Sequence, residues 1–173
     1  DGPLCAEQML YAACFRVMAE ISEQLGKDGN VYRQEYEKLT AAIEKFFWDE
    51  EKGAYIDSFT SGKRNVTRHA NIFAILFDIA DKQKQEKILK NVLENDEIPA
   101  ITTPYFNFFE LDVLCQMGKL TEVLDKIRSY WGGMLDLGAV TFWEEYDPSV
   151  PKEEQYDMYG DHFGKSLCHA WAA

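Results

Sequence analysis

The sequence predicts an all-α protein built from antiparallel helix pairs, and three observations carry that expectation. Apolar residues recur with a period near 3.6 along most of the chain. The breaks between these stripes are short and hold Gly, Asn, Asp or Thr-Pro, which are helix-ending and helix-starting signals. Only Ala54-Tyr55-Ile56-Asp57 reads as a strand. A closed toroid and an open solenoid of helix pairs both satisfy the pattern, and no tetratricopeptide or ankyrin repeat is present. The 173 residues are 46% hydrophobic and 14% aromatic, which suits one globular domain over 1–173 with a real core.

Taken in order, Pro3 is placed to open a first helix, with Met9, Leu10, Ala13, Cys14, Val17, Met18, Ile21 and Leu25 as its stripe and Gly26 at its end. Asn30 can cap a second, carrying Tyr32, Tyr36, Leu39, Ile43 and Phe47. The short link makes the two an antiparallel pair. A turn over Asp49 to Gly53 leads to the strand-like run, and 58–66 is a loop. Thr67 caps a third helix with Ile72, Ile75, Leu76 and Ile79. After a break near Asp81 a fourth carries Ile88, Leu89, Val92 and Leu93. Thr103-Pro104 starts a fifth that ends at Gly118, and its Tyr105-Phe106-Asn107-Phe108-Phe109 run suits an inner helix covered by neighbours. A sixth carries Leu120, Val123, Leu124, Ile127 and Trp131 and breaks at Gly132-Gly133. Lys165 begins a truncated seventh.

Charge excludes some partners. With 30 acidic and 18 basic residues the formal charge is −12, which argues against nucleic acid or an anionic membrane surface. No stretch approaches a membrane span and no signal peptide is visible, which leaves periplasmic, secreted and cytoplasmic compartments open. Cys5, Cys14, Cys115 and Cys168 lie in apolar helical patterns, which points to buried free thiols, although an even count also permits a disulfide. The abrupt start at Asp1-Gly2-Pro3 and a stop inside a helical pattern read as an excerpt of a longer chain.

The chemistry concentrates in Thr141-Phe142-Trp143-Glu144-Glu145-Tyr146-Asp147-Pro148, which holds three aromatics and three carboxylates. Aromatic faces stack on the apolar C–H surface of a ligand, and a carboxylate beside them is partly desolvated, which raises its basicity. In an extended segment Phe142, Glu144 and Tyr146 share one face and Trp143 and Glu145 the other, so the two glutamates need not act alike. A solvated acidic loop is the plain alternative.

Three stretches together resemble the bacterial α-L-rhamnosidases of glycoside hydrolase family 78. They are Gly138-Ala139-Val140-Thr141-Phe142-Trp143-Glu144-Glu145-Tyr146-Asp147-Pro148, the run from Tyr159-Gly160-Asp161-His162 to Ser166-Leu167-Cys168-His169-Ala170-Trp171, and Thr103-Pro104-Tyr105-Phe106 to Gly118. The resemblance runs over nearly the whole chain. It implies the C-terminal half of an (α/α)6 toroid, a six-hairpin glycosidase, present as a partial array of about three hairpins. It also implies an inverting hydrolase of rhamnosides, with no cofactor. Glu144, directly after the tryptophan, matches the family's general base. Trp143 and Tyr146 are then ligand contacts, and Glu145, where relatives often carry arginine, has a supporting role. The family's general acid belongs to an acidic motif with no counterpart in this sequence, so the chain is expected to be inactive alone.

His169 enters by its place on the seventh helix. Leu167 and Trp171 face one way at i and i+4, which leaves His169 on a face where it could hydrogen-bond a sugar hydroxyl. His162 ranks below it, and His69 reads as a structural residue at a helix start. No H-x-x-x-H, H-E-x-x-H, acidic calcium loop, nucleophile elbow or phosphate loop occurs, so no metal is expected. The reading from another class is a non-catalytic helical module that binds a basic partner on an acidic face. The two edges of a half toroid would also promote self-association.

Overall fold

A computed structural model describes residues 2–172, and the chain divides into two compact units, Asp1–Ala100 and Ile101–Ala173. In the first unit α1 (Cys5–Gln24) pairs with α2 (Asn30–Phe47). Gly29 caps α2 where a Cβ would meet the Ala19 carbonyl oxygen at 2.7 Å, so the two helices come together through a residue without a side chain. A two-stranded ribbon follows, β1 (Trp48–Asp49) antiparallel to β2 (Ala54–Tyr55), with Trp48 opposite Tyr55. Then come α3 (Arg68–Leu76) and α4 (Lys82–Ile88), the latter continuing as a π-helical turn over Leu89–Leu93.

Burial in this unit is built around α3. Ile72 and Ile75 pack in a core that also holds Met9, Ile43, Tyr55, Ile56, Ile88 and Val92. Asn71, fully buried on the same helix, accepts from the Tyr55 amide at 2.9 Å and donates to the Tyr55 and Thr67 carbonyls at 2.9 and 2.8 Å. One side chain thus satisfies both backbone groups of Tyr55 and the carbonyl of Thr67 at the start of α3.

The second unit holds α5 (Pro104–Gln116), α6 (Leu120–Asp136) and an irregular segment that runs from Leu137 with single 3-10 turns at Lys152–Glu154 and Ala170–Ala172. Its core gathers Tyr130, Met134, Ala139, Trp143 and Tyr146. Among the described residues no helix is long and apolar enough to cross a membrane.

Helix order and type follow the sequence pattern, and the departures have local causes. Pro3 lies before α1, because the Cys5 amide is already held by the Asp57 carbonyl at 2.8 Å and Leu4 becomes the cap. Asn30 is the first helical residue, and its amide donates to Asp28 Oδ1 at 2.9 Å. On α1 the buried side is Cys5, Met9, Ala12, Ala13 and Ala19, and Leu10, Cys14, Val17, Met18, Ile21 and Leu25 are exposed. Only Cys5 is a buried thiol; Cys14, Cys115 and Cys168 are exposed and free. On α5, Asn107 and Glu110 are buried, whereas Tyr105 and Phe108 are exposed. The Gly132-Gly133 pair does not end α6, which continues to Asp136. No seventh α-helix forms from Lys165. So short a run gains too few i to i−4 bonds to offset nucleation. Its backbone bonds instead with 141–144: Glu144 N–H to the Ser166 carbonyl and His169 N–H to the Phe142 carbonyl, both 2.9 Å, and the Thr141 hydroxyl to the Leu167 carbonyl.

Candidate active site

The second unit brings two distant stretches together, 141–146 and 156–169. The backbone bonds just described hold them side by side, and the Lys165 amide donates to the Tyr156 carbonyl at 3.1 Å. Beneath them Trp143, 3% exposed, meets Tyr156 with ring centroids 5.6 Å apart, and Tyr146 meets Tyr130 at 5.5 Å. Gly133 makes room for that contact, since a Cβ there would collide with the Tyr146 hydroxyl and ring.

The strict two-face alternation expected for 142–146 is therefore absent. Trp143 and Tyr146 are both buried, Phe142 is exposed, and the glutamates are intermediate. The segment bends because its amides take unequal partners: Glu144 bonds to Ser166 and Tyr146 bonds to the Thr102 carbonyl at 2.8 Å. Trp143 and Tyr146, expected as ligand contacts, are 3% and 8% exposed. They are the hydrophobic floor beneath the glutamates, where each ring's area is already used by the core.

Glu144 and Glu145 point into different surroundings. Glu144 Oε2 accepts from the Ser166 amide at 3.2 Å, Oε1 accepts from the Tyr159 hydroxyl at 3.3 Å, and His169 Nδ1 lies 4.0 Å from Oε2. Its side chain is 19% exposed, so the carboxylate is fixed and still reachable. The negative charge of Glu144, followed by the hydrogen bond to it, pushes the Tyr159 phenol above its ordinary range. Glu145 Oε1 accepts from the Thr102 hydroxyl at 2.7 Å, and Oε2 lies 3.9 Å from the buried Lys165 ammonium. Thr102 also takes the Tyr130 hydroxyl on its carbonyl at 2.6 Å. Glu145 thus ties the segment to the start of α5, and Glu144 faces the 156–169 segment.

His169 reaches Glu144 from an irregular segment rather than from a helix face. It borders a cavity of about 330 Å³ lined by Val140, Thr141, Phe142, Cys168, His169 and Ala170, and Glu144 is not among its walls. His162 is exposed and engaged with Asp157 Oδ1 at 2.5 Å, and His69 is exposed on α3. Among the described residues no group of three or more His, Cys, Asp or Glu is placed to hold a metal ion. Sequence reasoning missed Tyr159, Ser166, Thr102 and Lys165 as partners of the glutamates. Ser166 acts through its backbone amide, which no side-chain pattern reveals. Thr102 lies more than 40 positions from Glu145.

With that geometry in hand, the chain compares with known proteins as follows. The pattern of the bacterial α-L-rhamnosidase six-hairpin glycosidase domain matches residues 3–173. A solved structure of a rhamnosidase from Klebsiella oxytoca with rhamnose bound is similar at 30% identity and TM-score 0.81, covering 97% of this chain and 32% of that one. A family 78 rhamnosidase of Bacillus sp. GL1 is similar at 25% identity and TM-score 0.81, covering 99% of this chain and 18% of that one. The chain thus spans about a third of the first relative's length and less than a fifth of the second's. No curated protein sequence matches.

Proposed function

The chain belongs to the family of bacterial α-L-rhamnosidase six-hairpin glycosidase domains, and from that premise we propose that it supplies the general-base part of an inverting glycoside hydrolase releasing terminal α-L-rhamnose. The observation that supports this most is the hold on Glu144. One carboxylate oxygen is oriented by a backbone amide and the other by a phenol, while a lone pair on each remains for a water. A base needs that combination, since the attacking water must be positioned as well as deprotonated.

In this reading Glu144 takes a proton from water as the water oxygen bonds to the anomeric carbon. The glycosidic bond breaks, its electron pair goes to the leaving oxygen, and an acid from outside these 173 residues protonates that oxygen. The two carboxyls stand about 6.5–9.5 Å apart in such a site, with the water between the base and the sugar. His169 offers a hydrogen bond to a sugar hydroxyl, Glu145 fixes the segment through Thr102 and Lys165, and Trp143 and Tyr146 keep it from collapsing into the core.

The test is proton NMR of the reaction on an aryl α-L-rhamnoside, run with the enzyme that carries this chain and with the 173-residue chain by itself. The enzyme is expected to release β-L-rhamnose first, before mutarotation, and the isolated chain to give no turnover. First-formed α-L-rhamnose, or robust hydrolysis by the isolated chain, contradicts the reading.

A further inference from the structure

The first unit carries a concave site that the reading above does not use, a cleft of about 760 Å³. Four cations line it, Lys52, Lys63, Arg64 and Lys90, against two carboxylates, Glu51 and Glu97. In a chain with 30 acidic and 18 basic residues a local excess of positive charge needs a reason. Elsewhere in the unit Arg33 pairs with Glu23, Lys38 with Glu35, Lys84 with Glu44 and Lys87 with Glu50. Among the described residues six lysines of the unit have no carboxylate within 4.0 Å; Lys27, Lys45 and Lys82 do not line the cleft, whereas Lys52, Lys63 and Lys90 all border it.

The fourth cation is set in place. Arg64, at a left-handed φ of 50°, donates from Nε and Nη2 to Asp49 Oδ2 at 2.9 and 2.7 Å, which leaves Nη1 uncommitted. Asp49 Oδ1 accepts from the amides of Glu51 and Lys52 at 3.0 and 3.1 Å, so one buried carboxylate fixes both the arginine and the turn that carries Lys52. Burial alone would raise the Asp49 carboxyl, but the Lys52 amide and Arg64 outweigh it and hold the group below its usual range, ionised and binding.

We propose that this cleft binds an oxyanion carried on a saccharide, either a uronate carboxylate or a sulfate ester. The volume is far larger than a bare inorganic anion needs and falls in the range of small-molecule sites, roughly 300–1,000 Å³. Ala54, Val66, Ile98 and Pro99 give it apolar wall, and Asn65 and Asn91 give it amide groups, the mixture that matches the two-sided chemistry of a sugar ring. Screening over about 8 Å at physiological salt makes the nearby lysines count for more than the net charge of the chain. The choice of a saccharide rests on the glycosidase reading; the choice of an oxyanion rests on the cleft alone.

Titration calorimetry at physiological salt with D-galacturonate, galactose 6-sulfate and D-galactose tests it. One or both acidic sugars should bind at least tenfold more tightly than galactose, and the tighter of the two names the source of the oxyanion. A Lys63→Gln, Lys90→Gln double variant should weaken that binding at least tenfold with its melting temperature unchanged, since both side chains are exposed. Equal affinity for galactose, no saturable binding of either acidic sugar, or full affinity in the double variant would overturn the proposal. A Glu144→Gln variant should bind the acidic sugars normally, so failure here and failure of the general-base reading are told apart.

Discussion

At the residue scale the contrast between Glu144 and Glu145 is one of surroundings, because the two are neighbours with the same chemistry. Glu145 spends its oxygens on Thr102 and on the side of a buried lysine, both internal ties. Glu144 has its amide contact, the exposed Tyr159 and, 4.0 Å away, His169. His169 keeps its backbone amide on Phe142, so its ring can be removed without releasing the segment. His169→Ala in the enzyme should therefore weaken rhamnose binding by about 0.5–1.5 kcal/mol, a several-fold rise in Kd, with little change in melting temperature. Unchanged rhamnose affinity by calorimetry, or a variant that no longer folds, would remove His169 from the ligand side of the site.

At the element scale α6 decides whether 141–146 has a floor to rest on. Two adjacent glycines each cost a helix roughly 0.5–1 kcal/mol relative to alanine, yet the helix runs through them. Tyr130 and Met134, which flank the pair and lie one turn apart, bury themselves against Trp143 and Tyr146, which outweighs the intrinsic cost. The two glycines then separate cleanly. A Cβ at Gly132 meets nothing within 4 Å, so Gly132→Ala should stabilise by about 0.5–1 kcal/mol. A Cβ at Gly133 strikes the Tyr146 ring, so Gly133→Ala should destabilise by about 1–3 kcal/mol through overpacking. Urea unfolding of the two variants checks the sign of each, and a stabilising Gly133→Ala would mean that Tyr146 does not fill this space.

The same helix shows how far the sequence could be read. Six helices in their order, Thr103-Pro104 as a start, and the acidic-aromatic cluster were all legible, since periodicity and capping are local properties. A glycine pair held inside a helix by rings that arrive more than ten residues later is a tertiary effect, and periodicity carries no trace of it. The seventh helix failed for the converse reason: Leu167 and Trp171 have helical spacing, but the His169 amide donates to the Phe142 carbonyl and the Ser166 carbonyl accepts from the Glu144 amide. His169 still came near Glu144, by pairing of two irregular segments instead of by a helix face.

At the scale of the whole molecule, the exposed apolar surface is the outstanding property. Leu10, Val17, Met18 and Ile21 on α1 are each more than 40% exposed, and Tyr105, Phe108, Phe142 and Trp171 likewise in the second unit. Monomers rarely present such contiguous patches to water without using them. The 173-residue chain should accordingly self-associate, with a light-scattering mass that rises with concentration. A monomer at tens of micromolar with these side chains still exposed contradicts that expectation.

The central claim, that Glu144 is the base, is tested most directly by a pair of matched variants in the enzyme that carries this chain. Glutamine keeps the shape and the Ser166 contact of the glutamate but cannot accept the proton of the attacking water. Glu144→Gln should lower kcat on an aryl α-L-rhamnoside by about 10²–10⁴-fold, the usual scale for a lost general base, with an unchanged melting temperature, and Glu145→Gln should retain most of the turnover. Near-normal kcat in Glu144→Gln, with Glu145→Gln inactive, would contradict the account and move the role to the neighbouring residue.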